Sequence, residues 1–273
     1  MYKKLLIPKE ENQIEKFKDN IDGHIFPLKG YHTNFSFAYS LEEIEKILTS
    51  YPEKKKYLWI AKNLTNEEVD FLETQIKKIN KQSFDGIFFY DLAIMKLKDR
   101  LQSPLIWAQE HMTTNYATIN YWKKEGVSSV YLSSELKKEE IIEIRQKTKS
   151  VLFAQVFGYV PIFTSKRPLI QNYLKTFHLS SDAKEYYLKK EGECYPIFDQ
   201  KEGSFVLSKK VVDLRKQMKD RIDYGIYNAE LLTEETLKQA LNEEKIMKIE
   251  TDTGFFEREM IYKVKKEGNI CKK

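Results

Sequence analysis

Glu110 and His111 raise the first chemical question in this sequence. A carboxylate beside an imidazole, in the run Gln109-Glu110-His111, can move protons. Successive residues of an extended strand point to opposite faces, so one of the two is expected to be structural. Glu135 follows the small hydroxyls Ser133 and Ser134, where an acidic side chain at a strand's end is a base or a ligand. Asn63, Asp91 and Asn115 stand in comparable places. Asp91 and Asn115 also suit helix caps, because short polar side chains accept orphan backbone N–H groups. Farther along, Gly158 follows an apolar run directly and marks a turn or a close backbone approach. Pro161 and Pro168 flank and stiffen the run IFTSKR. Ser165 is expected to cap the helix after it, with Arg167 in the first turn. A cation there opposes the helix dipole, so Arg167 answers either an anionic ligand or an ordinary salt bridge.

Other chemistries find no motif. The four histidines, His24, His32, His111 and His178, form no H-x-x-x-H pair, and Cys194 and Cys271 form no C-x-x-C. There is no G-x-S-x-G elbow and no phosphate-binding P-loop. Cys194 reads as an ordinary buried or edge thiol. Neither a metal ion nor a cofactor is expected.

These residues need a scaffold, and the chain alternates short apolar runs with longer amphipathic ones. Leu5–Pro8, Ile25–Leu28, Tyr57–Ala61, Gly86–Tyr90, Leu105–Ala108, Val130–Ser133 and Val151–Gly158 are β-branched or aromatic. Between them, Glu11–Asn20, Leu41–Ser50, Asn66–Asn80, Leu92–Leu101, Thr113–Glu125 and Lys137–Lys149 read as helices, with Ser40, Thr65 and Asp91 placed as caps. Strands that are apolar without alternation are buried on both faces, as parallel strands are. Asp223–Asn228 supplies an eighth strand before a helix at Thr233–Asn242. Eight βα units in a chain of 273 residues predict an α/β fold, a TIM-type (β/α)8 barrel, over residues 1–273 as one domain. From His178 to Lys209 three strand-like runs split by Gly-containing turns predict a small antiparallel β insertion. Residues 246–273 predict a strand at Glu257–Val264 and then a frayed end.

Composition narrows the class. No apolar run approaches the roughly 20 residues of a membrane span. Charge follows Pro8 too early for a signal peptide, so a cytoplasmic protein with no membrane partner is expected. Two cysteines fit a reducing compartment. Net charge is +5, but arginine, the usual phosphate fork, is scarce among the 46 basic residues, so RNA is only one of several partners the charge allows.

The stretch VFGYVPIFTSKRPLIQNYL resembles the signature region of the collagenase-like peptidases of family U32. Phe157-Gly158-Tyr159 and Thr164-Ser165-Lys166-Arg167 carry the match, Glu135-Leu136 falls on the family's Glu-Leu strand end, and KNLTNEEV and Gly86–Asp91 resemble its third and fourth strand ends. The likeness covers roughly residues 57–260 and implies the same barrel, with its pocket at the strand carboxyl ends. Family members that hydroxylate RNA or quinones hold an iron–sulfur cluster on four cysteines. Here Pro161 and Pro168 occupy two of those positions, Cys194 alone corresponds to a third, and proline cannot ligate iron.

The reading that follows is a peptidase or other hydrolase working without a metal cluster. Glu135, His111 and Asp91 are its catalytic set; Asn63, Asn115, Glu110, Tyr159, Ser165 and Arg167 bind a peptide or small-molecule substrate. The alternative is a tRNA-modification (hydroxylation) factor, or a non-catalytic partner paired with an active relative.

Overall fold

A computed structural model describes residues 1–258. The chain opens with seven parallel strands: β1 (Lys3–Ile7), β2 (Gly23–His32), β3 (Lys55–Ala61), β4 (Gly86–Phe89), β5 (Leu105–Trp107), β6 (Ser129–Tyr131) and β7 (Val151–Gly158). Helices α1 (Asn12–Lys16), α2 (Leu41–Ser50), α3 (Asn66–Lys81), α4 (Tyr116–Lys124) and α5 (Lys138–Lys147) lie between them. The chain then leaves the barrel for β8 (Pro161–Ser165), α6 (Leu169–Thr176), β9 (Tyr186–Lys190), β10 (Glu193–Gln200) and β11 (Gly203–Leu207). It returns through β12 (Val211–Asp213) to β13 (Tyr224–Asn228), followed by α7 (Glu234–Leu241) and the short β14 (Thr251–Asp252). β13 pairs in parallel with β7 on one side and with β1 on the other, which closes an eight-stranded (β/α) barrel.

The strand pattern follows from burial on two faces. In β3, Tyr57, Trp59 and Ala61 point into the barrel, while Leu58 and Ile60 point out to the helices. The interior is filled mainly by rings. Trp59 stacks on Phe88 at 4.8 Å, Phe88 meets Phe153 edge-on at 5.1 Å, and Phe153 stacks on Tyr224 at 4.5 Å. It is a packed core with no channel through it, and side chains reach solvent only near its ends.

Helix starts follow local chemistry. Ser40 and Thr65 each close a capping box, with Glu43 and Glu68 reaching back to the cap N–H. Two expected helices differ. Glu11–Asn20 divides into α1 and a 3-10 turn at Lys18–Asn20, and Leu92–Leu101 is a 3-10 helix over Leu92–Arg100.

The insertion is larger than its sequence suggests. It begins at Pro161, and its sheet has four strands in the order β8-β11-β10-β9, all antiparallel. The run IFTSKR, expected as a stiff lead into a helix, is mostly strand β8, because Ser204 and Phe205 of β11 offer it a ladder partner. Beyond the insertion, β12 pairs antiparallel with the end of β7, and β14 runs parallel to β12. Residues 254–257 form a turn; the rest of the strand expected at Glu257–Val264 and the frayed end lie outside the described residues.

Gly158 is required where β7 ends. Its φ is +122°, and a methyl group there would collide with the Asn228 carbonyl oxygen of β13. Gly158→Ala is therefore expected to cost about 2 kcal/mol through backbone strain and displaced barrel closure. A urea titration reads this as a lower midpoint; an unchanged midpoint would contradict the close approach.

Candidate functional site at the carboxyl ends of the barrel strands

Glu110 and His111 divide as strand geometry requires. Glu110 turns inward and is buried; His111 turns outward and is half exposed. Asn34 Nδ2 donates to Glu110 Oε1, and Oε2 has no partner. Burial pushes the Glu110 carboxyl up to about 8, only partly opposed by the Asn34 hydrogen bond. The protonated acid is therefore the dominant form at neutral pH. Tyr131 lies buried inside the barrel, and its hydroxyl is raised by burial first and by Glu110 second. Tyr90, at the end of β4, is raised for the same two reasons, and its hydroxyl accepts from Gln109 Nε2 at 3.2 Å.

The loop after β2 seals this end of the barrel. Thr33 Oγ1 donates to the Ala61 carbonyl at 2.9 Å, and the buried Phe35 ring meets Trp59 at 5.2 Å. Gln200 of β10 donates to the Phe35 carbonyl at 2.6 Å, so the insertion sheet holds the loop from above. Ser36 N donates to Glu230 Oε2 at 2.9 Å. Glu230 is itself buried, and burial raises its carboxyl. Two buried carboxyl groups, Glu110 and Glu230, thus hold one short loop.

His111 Nδ1 stands 3.3 Å from Glu135 Oε1 on the outer rim. Gln109 Oε1 accepts from His111 N at 2.9 Å, and Ser133 Oγ accepts from Glu135 N at 3.2 Å, which fixes both backbones. Glu135 also lines a cleft of roughly 300 Å³ with Val160, Tyr195, Lys209, Lys210 and Arg258. A second cleft, of roughly 500 Å³, holds Asn63, Asp91 and Gln109 beside Trp107, Tyr121 and Trp122.

Several expected site residues turn out to be structural. Asp91 Oδ1 accepts from Ala93 N and Oδ2 from Leu64 N, each at 2.8 Å, so its carboxylate caps a 3-10 helix and tethers the β3 loop rather than standing as a free acid. Asn115 caps α4 by accepting from Thr118 N at 2.9 Å. Ser165 does not cap α6. It ends β8 and accepts from Arg167 N, while the first N–H groups of α6 go to Ser204 Oγ and Asp199 Oδ2. Arg167 precedes that helix, exposed and without an ion pair among the described residues. Tyr159 is half-buried beyond Gly158, its carbonyl accepting from Gln155 Nε2 at 2.8 Å and its hydroxyl raised by burial.

Asn34, Tyr131, Trp107, Gln200 and Glu230 were not among the expected site residues. Thr33-Asn34 is a polar pair directly after a strand, which is a usable signal. It was hidden because β2 runs on to His32, four residues past the expected end at Leu28.

The donor set does not suit the iron–sulfur cluster that the family resemblance implies. Cys194 is an exposed thiol on β10, paired across the strands with Lys189 rather than placed in a turn. Pro161 opens β8 and Pro168 precedes α6. Among the described residues, no group of three or more His, Cys, Asp or Glu side chains is placed to hold a metal ion. Cys271 lies outside the described residues.

A closed parallel barrel with an antiparallel sheet set beside the polar carboxyl ends of its strands defines a TIM-barrel protein with its chemistry in the βα loops. The sequence profile of Peptidase family U32 matches residues 23–232, and the chain belongs to that family. It is 28% identical over 209 residues to tRNA hydroxylation protein P2 of Bacillus subtilis (strain 168), covering 72% of this chain and 67% of that protein. To tRNA hydroxylation protein P1 of the same organism it is 23% identical over 224 residues, 76% of this chain and 51% of that one, so it spans about half the length of that relative. Among solved structures, the U32 peptidase Mk0906 superposes with a TM-score of 0.54 at 10% identity, over 84% of this chain and 93% of that one. That likeness bears on the fold alone. No helix among the described residues is long and apolar enough to cross a membrane.

Proposed function

We propose that this chain serves tRNA modification, with the barrel mouth around Glu110 and the His111–Glu135 rim as its working site. The observation that carries the reading is the similarity, over 209 residues, to a protein named for tRNA hydroxylation, a stretch long enough to include most of the barrel. The site chemistry agrees with proton transfer. Glu110, raised to about 8, is an acid near neutral pH, and His111 and Glu135 form a second proton-handling pair at 3.3 Å. A covalent peptidase route has less support, because His111 pairs with a carboxylate instead of a hydroxyl or thiol nucleophile. A cytoplasmic setting and pairing with a related family member belong to the same proposal.

Two measurements on one strain pair test it. Deleting the gene is expected to change the modified-nucleoside profile of bulk tRNA, and the purified chain is expected to retain tRNA on filters, less so as salt rises. An unchanged profile together with no retention at physiological salt would end the proposal. The hydrolase reading rests on the exposed His111–Glu135 pair. Cleavage of gelatin or mixed peptides that disappears in Glu135→Gln would put that reading in its place.

A further inference from the structure

We infer that the cleft between the β4 and β5 loops and α4 is a stacking site for an unpaired nucleobase of RNA, an inference that rests on the tRNA reading above. The cleft, roughly 500 Å³, lies within the volume range of small-molecule sites. Its floor is aromatic. Trp107 and Trp122 stack at 4.3 Å with an interplanar angle of 29°, and Tyr121, 58% exposed, stands 5.9 Å from Trp122 at the rim. Leu92 and Met112, each 60% exposed, complete that rim. Large apolar side chains left in water around one concavity mark a binding surface rather than scattered exposure.

The polar groups define the ligand. Trp107 is 4% exposed, and its indole Nε1–H has no acceptor, a state that costs about 1–3 kcal/mol unless something accepts from it. Asn63 is exposed with an uncommitted amide, and the Thr118 hydroxyl makes no hydrogen bond. Together they offer donors and an acceptor around a flat apolar floor, which suits the edge and face of a heterocyclic base. No lysine or arginine lines the cleft, and Asp91 on its wall carries a negative charge already committed to backbone N–H groups. The site therefore takes the neutral base and leaves the phosphates outside. An aliphatic peptide side chain would leave the indole N–H and the amide unmatched.

The protein carries its own reporter, because two of its three tryptophans, Trp107 and Trp122, lie in the cleft and Trp59 is sealed inside the barrel. Titrating the full chain with each of the four nucleoside 5′-monophosphates is expected to quench tryptophan fluorescence saturably for at least one base. Tyr121→Ala and Asn63→Ala keep all three tryptophans and change exposed residues. Tyr121→Ala is expected to weaken both nucleotide quenching and tRNA retention about tenfold, as loss of one stacking partner does. Both variants binding nucleotide and tRNA like the parent would overturn the inference, as would quenching by a phenylalanine dipeptide with none by nucleotides. Parent protein that retains tRNA while Tyr121→Ala has no effect removes the cleft alone. Nucleotide quenching without tRNA retention keeps the base site and removes the tRNA reading.

Discussion

Between pH 7 and pH 8 the protein is expected to lose stability as pH rises, and Glu110→Gln is expected to abolish most of that loss. Burial raises the Glu110 carboxyl from an ordinary 4.5 to about 8. In that interval the unfolded chain has released this proton while the folded chain still holds it. The folded state binds more protons, so stability falls with pH. The contribution is complete below about pH 4.5 and is lost as pH rises through about 8. Each unit spanned is worth about 1.4 kcal/mol, so the whole window amounts to something on the order of 4 kcal/mol.

Other buried groups decide where to measure. His24, held down to about 4 by burial and then by Lys54, gives a slope of opposite sign, which fades above its ordinary 6.5; His32 is also lowered by burial. Above pH 7 the histidine slopes are nearly gone. Glu230 is raised by burial and adds to the decline, but it is present in both proteins and cancels in their difference. Glutamine keeps a carbonyl for Asn34 and has no proton to lose. Thermal melts of both proteins at half-unit steps from pH 7 to 8 read the effect. Parallel declines would show that Glu110 is ionised in the folded state and would remove it as an acid at the barrel mouth.

Arg215→Ala is expected to cost roughly 3 kcal/mol or more. The guanidinium is 7% exposed and joins three parts of the chain. Nε and Nη2 grip Asp213 at 2.9 and 2.8 Å, and Nη1 donates to the Ala240 carbonyl at the end of α7 at 2.8 Å. Nη2 also reaches the Glu244 carbonyl at 3.2 Å, and the group lies 5.1 Å over the Phe157 ring. Alanine leaves the last carbonyls of α7 unsatisfied and a cavity over Phe157, while Asp213 loses its counter-ion. Lysine is expected to recover little, since a point charge cannot reproduce the planar fork. The urea midpoint should fall with an unchanged slope. A loss below about 1 kcal/mol would mean that water satisfies these carbonyls and that the contact is peripheral.

The barrel itself is legible in the amino-acid order. Val151–Gly158 and Leu41–Ser50 have the same bounds in sequence and structure, and Ser40 and Thr65 cap where their neighbours predict. Such features depend on residues within one turn or one strand, so local spacing and side-chain chemistry determine them. Even Gly158 announces its close approach, although only the fold names the Asn228 carbonyl as its neighbour. β8 escapes notice because its ladder partner β11 lies about forty residues on, across a helix.

The site depends more heavily on distance along the chain. Glu110 and His111 were conspicuous as neighbours, and the alternation of an extended chain foretold that they would part. Which one goes inside follows from barrel closure. It places Glu110 against Asn34, 76 residues away, and the loop and insertion then exclude water from its second oxygen. The same closure sets His111 beside Glu135 and commits Asp91 and Asn115 to backbone N–H groups that no local pattern reveals. The sequence by itself determined which elements form and which polar residues end the strands. Tertiary structure decided which of those residues keep their protons, their partners or their access to water, because desolvation and long-range hydrogen bonding exist only once distant segments pack together.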